Sequence, residues 1–159
     1  MKIVLFSLIL LILLLLLLLT FRRKSPDLTK LREEWRKGFK DGWAFENFSA
    51  ELFNSLGYKA IVTKGSHDFG ADLIVKNKRY TFVLQAKYYA NSISPKAIEE
   101  ALVAAAIYGV DKIGIITNGE IPQAVRDFAQ QIRAKTFVTK VALIGKSEIE
   151  KMLKGEKVL

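Results

Sequence analysis

Lys64-Gly-Ser-His-Asp-Phe-Gly-Ala-Asp72-Leu-Ile-Val75 leads through a short basic turn into Tyr80-Thr-Phe-Val-Leu-Gln85-Ala-Lys87-Tyr-Tyr89, and the reading of these residues decides the fold. A glycine-rich loop ends at Asp72, an apolar run follows, and the turn over 76–79 separates it from a second apolar run. In a strand, residues two apart share a face, so Gln85 and Lys87 project together while Leu84 and Ala86 point the other way. Paired as a hairpin, the two runs bring Asp72 near Gln85 and Lys87. An acid, an amide oxygen and an amine then converge at one end of a sheet. That set suits a hard, oxygen-liganded cation such as magnesium beside a phosphate ester.

Upstream, Trp43 to Leu56 is expected to be a helix, opened near Asp41 and stopped by Gly57. Its buried stripe is Phe45, Phe48, Leu52 and Leu56, with Glu46 at the edge. Residues 59–63, 71–75 and 80–87 read as strands. Ser94-Pro95 starts a second helix, because proline is tolerated in a first turn and serine can cap it. It reaches about Tyr108 with Ile98, Leu102, Ala105 and, at the margin, Ile107 facing inward. A strand over 112–117, a helix over 122–134, a strand over 140–144 and a last helix, capped by Ser147 and ending near Leu153, complete the chain. Strands alternating with helices in this half predict an α/β fold, a mixed sheet flanked by helices on both faces.

Composition narrows the chemistry. The chain has 159 residues, room for one domain after its apolar leader. With no cysteine, disulfides and thiolate metal sites are excluded. A single histidine, His67, excludes multi-histidine zinc centres. The net charge of +9 is unevenly spread: residues 22–40 hold eight basic and three acidic side chains, and the domain from Asp41 onward carries only +3. Global charge is therefore weak support for a nucleic-acid surface on the domain.

Asp, about a dozen residues, then Gln-x-Lys resembles the catalytic core of the PD-(D/E)XK nucleases, and more narrowly the Mrr-like restriction endonucleases, which carry Gln where most relatives carry an acid. Gly42-Trp-Ala-Phe45-Glu46 is similar to that family's helix-opening Gly-x-x-Phe-Glu, and Leu56-Gly57-Tyr58 to its Leu-Gly-Tyr. Gly114-Ile-Ile-Thr117-Asn118, Ala124, Ala129 and Val141-Ala-Leu-Ile144 follow in matching order, so the resemblance spans roughly 43–153. It implies a restriction-endonuclease-like sheet and a magnesium-dependent DNA endonuclease, with manganese as a substitute ion. Asp72, Gln85 and Glu46 would be catalytic metal ligands, and Lys87 the catalytic positive partner of the attacking hydroxide or of the transition state. The competing reading is a nuclease-fold module that binds nucleic acid or a partner protein without cutting. Asp68 is read as a turn former, His67 receives no role, and Gly65 and Gly70 leave the loop permissive. A homodimer is compatible with this reading.

Ile3 to Leu19 is an apolar run of 17 residues. As a helix it reaches roughly 25 Å, enough for a bilayer core. A cleavable signal peptide is the alternative, but no small-x-small site follows. Arg22-Arg23-Lys24 follows instead, and the positive-inside rule puts the C-terminal domain in the cytoplasm of a single-pass inner-membrane protein. Residues 3–19 are thus expected to be a transmembrane anchor and helix, 20–40 a basic juxtamembrane linker facing anionic lipid, and 41–155 the catalytic domain. Leu28, Leu31 and Trp35 fall at helical spacing in the linker, which suits a helix lying on the membrane, one packed on the domain, or a solvated segment. A reporter fused after Leu159 is expected to read as cytoplasmic, and the full chain to resist both carbonate and high-salt extraction. Release by salt alone would reduce the apolar run to a peripheral role.

Overall fold

The computed structural model describes residues 27–63, 71–88 and 93–159. The expected anchor, the loop residues Gly65, His67, Asp68 and Gly70, and Tyr89 lie outside them. Among the described residues no helix is long and apolar enough to cross a membrane.

Local chemistry sets the elements. Asp41 arrives in extended conformation and its carboxylate accepts from the Ala44 N–H at 2.8 Å, capping a helix over Gly42–Ser55. The chain leaves that helix through Gly57 at φ +85°, a conformation glycine adopts without a Cβ penalty. Phe45, Phe48, Leu52 and Leu56 are all buried, the stripe their spacing predicts. Strands β1 (Lys59–Val62), β2 (Leu73–Lys76) and β3 (Thr81–Lys87) pair antiparallel. The turn between β2 and β3 is held by Asn77, whose Oδ1 accepts from the N–H groups of Arg79 at 2.8 Å and Tyr80 at 2.9 Å. Two helical crossovers follow, α3 (Lys96–Tyr108) into β4 (Lys112–Thr117) and α4 (Gln123–Lys135) into β5 (Lys140–Ile144), and α5 (Lys146–Met152) closes the fold. Here α2 denotes Gly42–Ser55 and α1 the preceding helix Thr29–Lys37. β3, β4 and β5 run parallel, so the five-stranded sheet is mixed, in the order β1-β2-β3-β4-β5.

Side-chain alternation divides the sheet into two apolar layers. Leu73, Val75, Phe82, Leu84, Ala86, Ile116 and Ile144 pack under α1, α2 and α5. Ile113 and Ile115 pack under α3 and α4 on the other face, where Val83 meets Ala104 of α3. β3 is central and buried along most of its length, as its near-continuous apolar run requires. Gly114 keeps β4 close to its neighbours: a Cβ there would stand 2.6 Å from the Ala142 carbonyl oxygen and 2.8 Å from Leu84 Cδ2.

Two expectations need correction, and one choice left open is decided. Of the alternatives for Leu28, Leu31 and Trp35, the described residues show a helix packed on the domain. Leu28 and Leu31 are 2% and 4% exposed, Trp35 stacks on Phe48 at 5.9 Å, and Arg32 Nε donates to the Leu153 carbonyl at 2.9 Å. The stripe of Leu28, Leu31 and Trp35 is what seats it. Ile107 is 51% exposed, because it lies two residues beyond the buried Ala105 and so on the opposite side of a helix. Neither serine caps a helix. Pro95 holds the cap position of α3 without a side-chain bond, and Ser147 lies inside α5, where Glu148 Oε2 accepts from the Gly145 N–H at 3.0 Å.

Leu31→Ala is expected to destabilise the domain by about 2–4 kcal/mol in chemical denaturation, the range for truncating a buried leucine. A chain of residues 27–159 should likewise melt higher than one of 41–159. Equal stability of the two would return 27–40 to the status of a linker.

Candidate active site

The β2–β3 hairpin brings Asp72 and Gln85 together as the sequence spacing predicts. Asp72 extends β2 by one residue: its N–H donates to the Leu84 carbonyl at 3.0 Å, and its own carbonyl accepts from the Thr63 N–H at 2.9 Å. Its carboxylate then carries the pairing further, Oδ2 accepting from the Ala86 N–H at 2.8 Å and from Gln85 Nε2. A carboxylate only accepts, so the amide must present its nitrogen to Asp72. Gln85 Oε1 is thereby turned away and left buried without a hydrogen-bond partner among the described residues, in a side chain belonging to a residue only 5% exposed.

Lys87 shares the Gln85 face by the alternation of β3, the face covered by α3. Its Nζ lies 2.7 Å from Oε2 of Glu100, in the second turn of α3, with side chains 20% and 30% exposed. Glu100 Oε2 is buried, and its partner is the Lys87 ammonium. Across the parallel pairing, Lys87 stands beside the buried Thr117 of β4. The cluster thus sits at the carboxyl ends of β3 and β4 and the amino end of α3, where open α/β sheets leave room for ligands.

Glu46 is half-buried on α2, a helix whose Phe45 and Phe48 pack against the Leu84 and Ala86 face of the sheet. Among the described residues no three acidic or imidazole groups gather into a metal-binding cluster. Tyr88 packs rather than projecting: its ring lies 5.7 Å from Phe45, and its hydroxyl accepts from the Phe39 N–H at 3.2 Å. A shallow groove of about 400 Å³ opens at the opposite end of the sheet, between the 77–81 turn and residues 109–112. It is lined by Asn77, Lys78, Arg79, Asp111 and Lys112, and there Lys112 Nζ lies 2.9 Å from Asp111 Oδ1.

Glu100 is the residue the sequence reading missed. It follows Ala97 by three residues and precedes Ala104 by four, and both alanines are buried. Helical spacing therefore turns this glutamate toward the sheet, where a charge needs a partner. That signal was present in the sequence.

A family model described as restriction endonuclease, Mrr_cat, matches residues 40–153. No curated protein matches the chain. Among solved structures, a protein of unknown function, AF1548, is similar at a TM-score of 0.57 and 12% identity, over 72% of this chain and 66% of its own. The DNA modification-dependent restriction endonuclease AspBHI is similar at 0.56 and 19%, over 82% of this chain but only 36% of its own. The small subunit of the heterodimeric restriction endonuclease R.BspD6I is similar at 0.53 and 16%, over 80% and 76%. These likenesses show a restriction-endonuclease-like fold, and this chain spans about a third of AspBHI.

Replacing Gln85 with Leu would remove the amide that ties β3 to Asp72 together with the orphaned oxygen. Because a buried unsatisfied polar atom costs about 1–3 kcal/mol, stability is expected to change by less than about 1 kcal/mol. A loss well above that in urea denaturation would mean that Gln85 is retained for folding.

Proposed function

Because the chain belongs to the Mrr restriction endonuclease family, we propose that its folded domain hydrolyses phosphodiester bonds in DNA with the help of a divalent cation. The observation that carries this is Gln85 Oε1, buried and unpartnered beside the Asp72 carboxylate. A buried orphan oxygen is uncommon in folded proteins and calls for a use. Asp72 and Gln85 together offer carboxylate and amide oxygens, the hard donor set that fits Mg2+, and Mn2+ in its place. Glu46 is proposed as a further carboxylate from α2. When bound, such a cation would polarise a phosphoryl oxygen and acidify water at neutral pH.

The chain's own residues do the rest. The bonds from Ala86 N–H and Gln85 Nε2 fix the Asp72 carboxylate, so its position needs no reorganisation on substrate binding. Lys87, projecting on the same face, supplies positive charge where negative charge grows on the phosphoryl oxygens. We assign residues 3–19 as a single-pass anchor and 22–40 as a basic stretch against anionic lipid, with the domain on the cytoplasmic side. The non-cleaving alternative draws on one observation: Lys87 is already neutralised by Glu100.

The test is the full-length chain in mild detergent with supercoiled plasmid, modified and unmodified, in Mg2+ or in chelator. Cleavage is expected only with Mg2+. Asp72→Asn keeps an acceptor for the Ala86 N–H while removing the charge, and should abolish cutting without unfolding. Lys87→Ala should slow it by about 10²–10⁴-fold, the usual worth of such groups. DNA binding measured in Ca2+ should survive Lys87→Ala better than cleavage does. A wild type that binds DNA but never cuts would leave the non-cleaving module as the reading.

A further inference from the structure

Apart from the Glu46 carboxylate proposed above, the strand residues of this cluster offer a dication no net negative charge. On the strands, Asp72 is anionic, Gln85 neutral and Lys87 cationic, so the three together carry no net charge. A neutral set holding an ammonium on the same face repels a dication nearly as much as it attracts one. Glu100 changes this. Its carboxylate oxygen lies 2.7 Å from Lys87 Nζ, so the two charges offset each other directly.

We propose that Glu100 is the electrostatic complement of Gln85. It cancels the Lys87 ammonium from the helix side, so that Asp72 and the orphaned Gln85 Oε1 face a divalent cation within a net anionic site. The negative charge that an acid at position 85 would have placed on β3 resides instead on α3, one side chain further from the donor oxygens. Glu100 is therefore a positioning residue, acting through Lys87 rather than as a ligand. This inference rests on the divalent-cation reading of the same site.

The test uses Mn2+ binding to the full-length chain, followed by the resonance signal of free Mn2+ without DNA and without turnover. Glu100→Gln keeps the shape and removes the charge, and is expected to weaken Mn2+ binding about ten- to hundredfold, as loss of one nearby charge at intermediate dielectric implies. Gln85→Glu/Glu100→Gln returns the charge to the strand and should recover wild-type affinity within about threefold, a rescue that a purely packing role for Glu100 would not produce. If Glu100→Gln alone fails to fold because Lys87 is left uncompensated, Lys87→Met/Glu100→Gln removes both charges and should bind Mn2+ as wild type does. Wild-type affinity in Glu100→Gln, or no recovery in either folded double variant, overturns the inference alone. A wild type that binds no Mn2+, or binds it equally well as Asp72→Asn, overturns the cation reading and this inference with it.

Discussion

The Asp72 carboxylate joins the fold to its site. Backbone pairing between β2 and β3 ends where the Asp72 N–H meets the Leu84 carbonyl, and the side chain then takes over, receiving the Ala86 N–H at 2.8 Å. Remove that acceptor and a strand N–H at the end of the buried central strand loses its partner, a cost of about 1–3 kcal/mol. The same carboxylate orients the Gln85 amide and so decides which of its two polar atoms faces away from Asp72. Stability of the hairpin and readiness of the site are therefore one interaction.

The layers around it explain why this interaction can be held still. β3 is covered on one side by the aromatic packing of Phe39, Phe45, Phe48 and Tyr88, and on the other by small residues of α3. Alanines at 97, 101, 104 and 105 bring α3 close to the sheet, within reach of the Lys87 ammonium for a glutamate in its second turn. Bulky residues at those positions would lift the helix and separate the pair. α1 adds a further cover, its Leu28 and Leu31 sealing the layer beneath α2.

The legible parts of the sequence were those where a local rule and the tertiary fold agree. Asp41 and Gly57 bounded α2, the turn residues placed the hairpin, and period-two alternation put Gln85 and Lys87 on one face. The unexpected parts depend on partners distant in sequence. Whether Leu28, Leu31 and Trp35 meet membrane, water or protein depends on Phe48 and on the Leu153 carbonyl, which no local pattern names. Ile107 looked inward because it is apolar, whereas helical angle places it opposite Ala105. Glu100 was legible in its spacing from Ala97 and Ala104, on a helix that the family pattern over the strands does not mark.

Glutamine at position 85 also resolves a conflict that an acid would create. Two carboxylates in the place of Asp72 and Gln85 would repel at hydrogen-bond distance, and one would be forced to hold a proton or a cation for the hairpin to close. An amide removes that requirement, because its nitrogen donates to Asp72 while its buried oxygen is turned away from the carboxylate. The hairpin's hydrogen bonds between Asp72, Gln85 and Ala86 are then made by the protein alone. At the proposed cation site, what is lost is a unit of negative charge beside the oxygens of Asp72 and Gln85, and with it affinity for that cation. A lysine two residues along the same strand makes that loss worse, and a glutamate reaching it from the facing helix is the shortest way to reverse it.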